Sequence, residues 1–294
     1  MVVRVSNSNL VQFISYCRRY GVENDDSFLP DEGFSPDDDH PSFLLYDEQS
    51  RLCGAASLIL EEHYRKARKG RFMIFHSIEP LTDNYRALLS ELLSCVKELD
   101  SVYLFISPGD TMQQILEGLG FGIERYSFLM IRRDCTVSPL EMPKNSFFVP
   151  FDERIHRDLY CKIINEAFGR IAGHFDITPE RVSIITDGAN IPTGGIQLLY
   201  LDGGVPAGLF FSEINEEGML EVGPIAVLPQ YQRRGLGRLL LNRALQLSSD
   251  LGLDTFLSVN AENEKAVSLY HKEGFQKTET KICYRLDLRE LNMS

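Results

Sequence analysis

The part of the chain with the clearest chemical character is a short loop that runs into the start of an amphipathic helix. Its residues are Gln232-Arg-Arg-Gly-Leu-Gly-Arg238, and an apolar, strand-like run precedes it. The first backbone N–H groups of a helix lack acceptors within the helix, and the helix dipole makes this end positive. Two glycines let a phosphate approach the backbone without a Cβ atom in the way, and three arginines add charge. The segment therefore predicts a binding site for a diphosphate.

Two common phosphate-binding patterns do not fit this segment. A dinucleotide site has the form G-x-G-x-x-G, whereas Gly235-Leu-Gly-Arg-Leu-Leu240 lacks the third glycine. A Walker site requires Gly-Lys-Ser/Thr, and that tripeptide does not occur here.

Strands and helices follow one another around this loop. Apolar residues at helical spacing predict a helix over 236–251, and alternation predicts a strand over 219–227 that leads into the loop. In the C-terminal half we expect further strands over 147–151, 196–201, 206–214, 254–259 and 281–288, and further helices over 155–168, from Thr178, and over 264–273.

The first half repeats this order more weakly. Leu119-Gly-Phe121 and Glu273-Gly-Phe275 have the same relative position in the two halves, and the same offset places 102–107 on 256–261 and 123–133 on 277–287. Agreement over such a stretch indicates an internal duplication. Prolines at 139, 143 and 150 are typical of a linker between the halves. We predict an α/β (α+β) fold with two domains, 1–140 and 141–294, each a mixed, mostly antiparallel sheet flanked by helices.

Three motifs resemble those of the GCN5-related N-acetyltransferases, the GNAT superfamily. Gln232-Arg-Arg-Gly-Leu-Gly237 matches its Q/R-x-x-G-x-G/A motif, at the family's spacing from Ile225-Ala-Val227. Asn263-Glu-Lys-Ala-Val-Ser-Leu-Tyr270, followed by Gly274-Phe275, matches a third motif. The resemblance covers roughly residues 147–290. In the first half, residues 76–84 contain no glycine where the phosphate loop would lie. The chain thus resembles a tandem GNAT protein whose degenerate N-terminal copy has lost cofactor binding.

The resemblance implies that acetyl-CoA is the acyl donor. In this family the strand before the loop separates from its neighbour and the pantetheine fills the gap. Pro224 in that strand fits this arrangement, because proline in a sheet belongs at bulges and unpaired edges. The resemblance places the pantetheine on backbone groups of Ile225, Ala226 and Val227. The pyrophosphate-binding residues would be Gln232, Arg233, Arg234, Gly235, Leu236, Gly237 and Arg238.

Asn263 would contact the cofactor near the pantetheine arm. It is equally well placed to cap the helix that follows it, and the two roles are compatible. We predict no metal site.

Two residues are candidates for acid–base catalysis. Tyr270 occupies the position of the family's acid tyrosine, which protonates the departing thiolate; the alternative is an ordinary core tyrosine. Glu221 corresponds to the general base of some members, and alternation would place Glu221, Gly223 and Ile225 on one face of the strand. The alternative is an ordinary strand carboxylate. Ser258 stands where other members carry a glutamate, and Glu213 is the reserve candidate.

The expected reaction is transfer of an acetyl group to a primary amine of a small molecule, by direct attack in a ternary complex. The alternatives are acetylation of a protein N-terminus or lysine, and a non-catalytic acyl-CoA-binding module. Residues 168–195 are expected to bind the acceptor. The polar side chains singled out in this segment are Arg170, His174, Asp176 and Asp187.

Composition limits the partners and the compartment. A net charge of −12 argues against non-specific binding to nucleic acid or acidic membranes, which requires positive surface. No apolar run approaches the roughly 20 residues that span a bilayer. The first residues do not form a secretory leader, and the 6 cysteines are scattered singly, as is typical of reduced thiols. We therefore expect a cytoplasmic protein; the sequence does not predict its oligomeric state.

Overall fold

The computed structural model describes residues 1–21, 28–31, 33–134, 136, 137, 139, 141–169 and 176–291. Arg170 and His174, two of the polar residues expected near the acceptor, lie outside these ranges. None of the helices within the ranges is both long and apolar enough to cross a bilayer.

The chain divides into two compact units. Unit 1 consists of Met1–Ser127, Asn260–Glu262 and Glu279–Ser294, and unit 2 of Phe128–Val259 and Asn263–Thr278. The first division, between Ser127 and Phe128, lies before the proline-containing linker. The predicted domain boundary between residues 140 and 141 lies within that linker, and it stays a prediction.

The N-terminal part of unit 1 is a sheet with helices packed against it. Its strands are β1 (Val2–Arg4), β2 (Ser42–Tyr46), β3 (Leu52–Ile59), β4 (Lys69–Ser77) and β5 (Ser101–Ile106), and its helices are α1 (Leu10–Tyr20), α2 (Glu62–Lys66), α3 (Thr82–Cys95) and α4 (Asp110–Gly118). Neighbouring strands follow chain order and are antiparallel, except that β4 and β5 are parallel.

The rest of the chain contains the elements that carry the predicted site. The strands are β6 (Gly122–Arg132), β7 (Phe147–Pro150), β8 (Ile196–Leu201), β9 (Val205–Ile214), β10 (Leu220–Val227), β11 (Thr255–Asn260) and β12 (Gln276–Asp287), and the helices are α5 (Glu153–Phe168), α6 (Pro179–Thr186), α7 (Leu236–Leu251), α8 (Glu264–Lys272) and α9 (Leu288–Leu291). In unit 2, β7 to β10 form antiparallel neighbours and β11 lies parallel to β10. The mixed, mostly antiparallel sheet flanked by helices is thus confirmed.

Alternation along the strands of unit 2 produces two apolar faces, each covered by helices. On one face, Phe210 and Val222 pack in a buried cluster with Leu240 of α7. On the other, Leu209 and Ala226 pack in a cluster with α5 and α6. Burial of these side chains stabilises the sheet at about 25 cal/mol per Å² of apolar surface removed from water. It also fixes which side chains of β10 face each set of helices.

The structure repeats at the predicted offset. Helices α3 and α7 begin at residues 82 and 236, β5 and β11 at 101 and 255, α4 and α8 at 110 and 264, and β6 and β12 at 122 and 276. Each pair of starting residues differs by the same number, 236 − 82 = 154. The turn between the last two elements repeats as well, with Gly120 at φ +89° and Gly274 at φ +90°. The duplication is therefore confirmed in the elements themselves.

The equivalent strands β6 and β12 do not pack only with the halves of the chain that precede them. Ile282 to Asp287 of β12 pair antiparallel with β5 in unit 1, and Tyr284 and Leu286 are buried in the cluster of that unit. Met130 of β6 is buried in the cluster of unit 2. Because duplicated strands present the same alternation of apolar residues, sequence periodicity cannot tell which sheet each will complete.

Candidate active site

Strand β10 separates from β11 after its first residues. The two strands are in parallel register at Leu220 with Thr255 and at Glu221 with Phe256. Within the described residues their register goes no further, so the edge of β10 from Val222 to Val227 does not pair with β11. Backbone N–H and C=O groups on such an edge can hydrogen-bond an extended, peptide-like ligand.

Strand β10 also contains a bulge. Val222 lies opposite Ser212, but Ile225 lies opposite Phe210, so β10 holds one more residue than β9 in this interval. Pro224 lies within the bulge, where its missing N–H removes no ladder hydrogen bond.

The bulge reverses the alternation along β10. Glu221 lies opposite Glu213 and Ala226 opposite Leu209, which places Glu221 and Ala226 on one face of the sheet. Ile225 lies opposite Phe210 and faces the other way. The predicted common face of Glu221, Gly223 and Ile225 is therefore wrong, because a period of two does not survive an inserted residue.

The loop after β10 is open around its glycines. Gly235 has φ +80° and precedes α7, whose first turn contains no acidic residue. A Cβ atom built on Gly235 or on Gly237 would meet no other atom within 4 Å. The loop thus has an open backbone, with a left-handed glycine, at the positive end of a helix. These features suit the binding of a diphosphate.

Polar contacts fix the two ends of the loop. The Gln232 Nε2 atom donates a hydrogen bond of 3.0 Å to the carbonyl oxygen of Val227 and so ties the loop to β10. The guanidinium of Arg234 lies 5.4 Å from the ring centre of Tyr231. The Arg238 Nε atom donates to a carboxylate oxygen of Glu273 at 2.5 Å. Glu273 was not singled out in the sequence, since no spacing rule joins residues 35 positions apart.

The corresponding connection in unit 1 differs in length and charge. It consists of residues 78–81 between β4 and α3, against residues 228–235 between β10 and α7. Glu79 lies in this shorter loop, and Asp83 lies in the first turn of α3. Leu116, fully buried, holds the position equivalent to Tyr270. The residues that would attract a phosphate or supply a phenol are replaced in this half.

Asn263 caps helix α8. Its Oδ1 atom accepts a hydrogen bond of 3.2 Å from the backbone N–H of Ala266. The capping role is therefore confirmed, and it leaves the Nδ2 group of Asn263 available as a donor.

Tyr270 lies on α8, half-buried against the apolar cluster of α7. Its ring packs edge-on against Phe275, with the ring centres 5.8 Å apart. Burial raises the pKa of the Tyr270 phenol to about 12. Within the part of the chain that the structure describes, its hydroxyl makes no hydrogen bond. The phenol is therefore protonated near neutral pH, with its proton available to a ligand.

Glu221 shares its environment with a second carboxylate. Burial, followed by the negative charge of Glu213, raises the pKa of Glu221 above its usual value. The other carboxylate accepts a hydrogen bond of 2.8 Å from Asn190 Nδ2, and Asn190 belongs to the segment expected to bind the acceptor. Glu221 and Tyr270 thus lie toward opposite faces of β10.

Several known proteins resemble this chain. Residues 157–275 match the family model described as the acetyltransferase (GNAT) family. A mycothiol acetyltransferase of Kytococcus sedentarius is 26% identical over 149 residues, which are 50% of each chain. A ribosomal protein bS18 alanine N-acetyltransferase of Salmonella typhimurium is 41% identical over 61 residues, covering 20% of this chain and 41% of that protein. The chain therefore spans half or less of the length of these curated relatives.

Solved structures resemble the chain over nearly its whole length. A GCN5-related N-acetyltransferase of Sphaerobacter thermophilus superposes with a TM-score of 0.71 at 16% identity, covering 98% of this chain and 95% of that one. A tandem GNAT protein of the clavulanic acid biosynthesis pathway superposes with a TM-score of 0.68 at 12% identity, covering 98% of both chains. The whole chain shares its fold with a tandem GNAT protein, and its segment 157–275 matches the model of the acetyltransferase (GNAT) family.

Proposed function

We propose that this protein is an N-acetyltransferase that moves an acetyl group from acetyl-CoA to the primary amine of a small molecule. The observation that carries the proposal is the unpaired edge of β10, which leads directly into an open glycine loop at the positive end of α7. The relatives support it, since those reported above are named as acetyltransferases.

The donor would lie along β10 and the loop that follows it. Backbone groups of Ile225, Ala226 and Val227 would hold the pantetheine, and the amides and side chains from Gln232 to Arg238 would hold the pyrophosphate. Acetyl-CoA supplies an acetyl group activated as a thioester.

Glu221 is the group that would take the proton from the acceptor. An alkylammonium has a pKa of about 10.4, so the attacking amine must lose a proton near neutral pH. A carboxylate is a stronger base when its pKa is raised, and both burial and Glu213 act in that direction. Asn190, from the segment expected to bind the acceptor, donates a hydrogen bond to Glu213 and supports this assignment.

Tyr270 would stabilise the negative charge that develops on the departing sulfur. With a pKa of about 12, the phenol is protonated near neutral pH and would donate a hydrogen bond to that sulfur. A backbone N–H within Ile225 to Val227 would act as a fixed donor to the carbonyl oxygen as its charge grows. Within the described part of the chain, the free cysteines are Cys17, Cys53, Cys95, Cys161 and Cys283, and none of them lies in β10, its loop or α8. Attack by the amine would therefore be direct, with no acyl-enzyme.

A panel of amines with acetyl-CoA tests the function. The panel holds small primary amines and, in a separate arm, peptides with a free N-terminus or a lysine. We expect release of CoA together with an acetylated small amine, and initial rates that depend on both substrates as in a ternary complex. Acetylation of the peptides alone would favour the protein acetyltransferase alternative. Tight binding of acetyl-CoA with no product from any amine would leave a non-catalytic binding module, and a radiolabelled acetyl group retained on the protein would contradict direct attack.

A further inference from the structure

Two carboxylates stand opposite each other on the face of the unit 2 sheet that α5 and α6 cover. Glu213 of β9 and Glu221 of β10 are directly paired, so their Cβ atoms lie about 4.5–5.5 Å apart. One oxygen of Glu213 accepts the hydrogen bond of 2.8 Å from Asn190 Nδ2. Within the described residues, neither carboxylate has an ion pair, and Glu221 accepts no hydrogen bond. Because like charges directly opposite in a sheet repel each other, a cation from outside the chain would stabilise this pair.

A buried tyrosine lies beside the pair. Tyr160 of α5 is 1% exposed and packs in the apolar cluster with Leu209 and Ala226. Glu213 is close enough to act on this phenol: burial, followed by Cys161 and Glu213, raises the pKa of Tyr160, so the phenol is neutral. In the part of the chain that the structure describes, the Tyr160 hydroxyl makes no hydrogen bond. A buried hydroxyl without a partner is costly, and an N–H group of a ligand would satisfy it.

We infer that the acceptor is a diamine, and that Glu213 binds the ammonium group that is not acetylated. The inference rests on the proposed function, in which Glu221 takes the proton from the attacking amine. An ammonium has three N–H donors. The second oxygen of Glu213 and the Tyr160 hydroxyl would each accept one of them. Glu213 would thus determine which amines are good acceptors.

The charges in the reaction favour such an acceptor. With both carboxylates ionised, the site carries two negative charges, and a monoamine brings only one positive charge. During transfer, one proton of the attacking ammonium moves to Glu221, the amide bond forms as the C–S bond of acetyl-CoA breaks, and a second proton ends on the thiol of CoA. Glu213 then lacks a counter-ion unless the acceptor carries another. A second ammonium, with a pKa of about 10.4, keeps its proton throughout.

Amines of matched chain length test the inference on the full chain. Each set compares a diamine with the monoamine of the same length and with the amino acid in which a carboxylate replaces the second ammonium, for chains from ethyl to hexyl. We expect kcat/KM for the best diamine to exceed that of its monoamine at least about tenfold, chiefly through KM, and the amino acid to be the poorest. Glu213→Gln keeps an acceptor for Asn190 and removes the charge, so its diamine-to-monoamine ratio should fall to within about twofold.

This ratio is measured within each variant, so a general loss of active protein does not change it. Glu217→Gln removes an equal charge in the exposed turn between β9 and β10 and should leave the ratio unchanged. Tyr160→Phe should lower the ratio about two- to fivefold, as for one neutral hydrogen bond. Equal kcat/KM for diamine and monoamine in wild type, or a ratio that survives in Glu213→Gln, would overturn the inference while leaving the proposed function standing. Absence of acetyl transfer to every amine would contradict the proposed function, and the inference with it.

Discussion

At the scale of single residues, the proposed chemistry depends on two half-buried ionisable groups whose pKa values are both raised. Burial raises the pKa of the Tyr270 phenol, and burial together with the charge of Glu213 raises the pKa of the Glu221 carboxyl. Raising a phenol pKa keeps it a hydrogen-bond donor, whereas raising a carboxylate pKa makes it a better base. Burial thus favours the proposed hydrogen-bond donor and also the proposed base.

Tyr270→Phe tests the donor role, because it removes the hydroxyl and keeps the ring against Phe275. We expect kcat to fall by about 10²–10³-fold with little change in KM for acetyl-CoA, as for loss of a single acid–base group. Thermal stability should not fall, because the hydroxyl has no partner within the described residues. Tyr200→Phe, which keeps a ring stacked on Phe147 elsewhere in unit 2, is the control. Tyr270→Phe rates within twofold of wild type would leave Tyr270 as a core residue.

Glu221→Gln tests the electrostatics of the carboxylate pair. Since the folded pKa lies above the ordinary value of 4.5, the fold disfavours ionised Glu221. Below pH 4.5, Glu221 is mostly protonated in both the folded and the unfolded chain. Above pH 4.5, its ionisation destabilises the folded chain relative to the unfolded one. The variant should therefore melt at a higher temperature than wild type at pH 7, and the difference should vanish near pH 4. The Glu221→Gln substitution should also lower kcat at neutral pH. This loss should be smaller at high pH, because more of the amine is then already deprotonated.

Glu216→Gln, in the exposed turn between β9 and β10, should show no such pH-dependent gain. A Glu221→Gln variant that is less stable than wild type at pH 7 would mean that the ionised carboxylate is stabilised in the fold, contrary to this account.

At the scale of elements, the sequence identifies the helix–loop–strand order but not the geometry between strands. The predicted bounds of α7 and β8 agree with the structure, because apolar residues at clear helical or strand spacing face one core. Hydrophobic periodicity does not predict the bulge in β10, although Pro224 indicates an irregularity at that position. The contact between Arg238 and Glu273, and the groove between α7 and α8 that Arg238 lines, depend on packing between residues that are distant in sequence, which no local spacing predicts.

The two glycines of the loop differ in what they contribute, which matched alanine variants should show. Gly235 has φ +80°, a left-handed conformation that costs an L-residue roughly 1–2 kcal/mol. Gly237 lies inside α7, where alanine is favoured by about 0.5–1 kcal/mol and meets no atom within 4 Å. We expect Gly235→Ala to weaken CoA binding at least about tenfold, and Gly237→Ala to keep binding and raise the melting temperature. Equal affinities of the two variants, measured by calorimetry, would contradict the assigned role of Gly235.

At the scale of the whole molecule, one duplicated architecture carries two different loops. The first half repeats the second at a constant offset in four elements, yet it has a shorter, acidic connection and Leu116 in place of a tyrosine. From the missing glycines the sequence predicts that this half has lost cofactor binding, and that loss stays a prediction. It did not predict the exchange of the final strands, because equivalent strands have interchangeable patterns.

The most direct test of the central claim is calorimetric titration of the full chain with CoA, for wild type and for Gly235→Glu. The account predicts one CoA per wild-type chain. It predicts no measurable binding for Gly235→Glu, since a carboxylate would stand where the pyrophosphate is proposed to lie, with the thermal unfolding transition still present. Two CoA molecules per chain, or unchanged affinity in the variant, would contradict it.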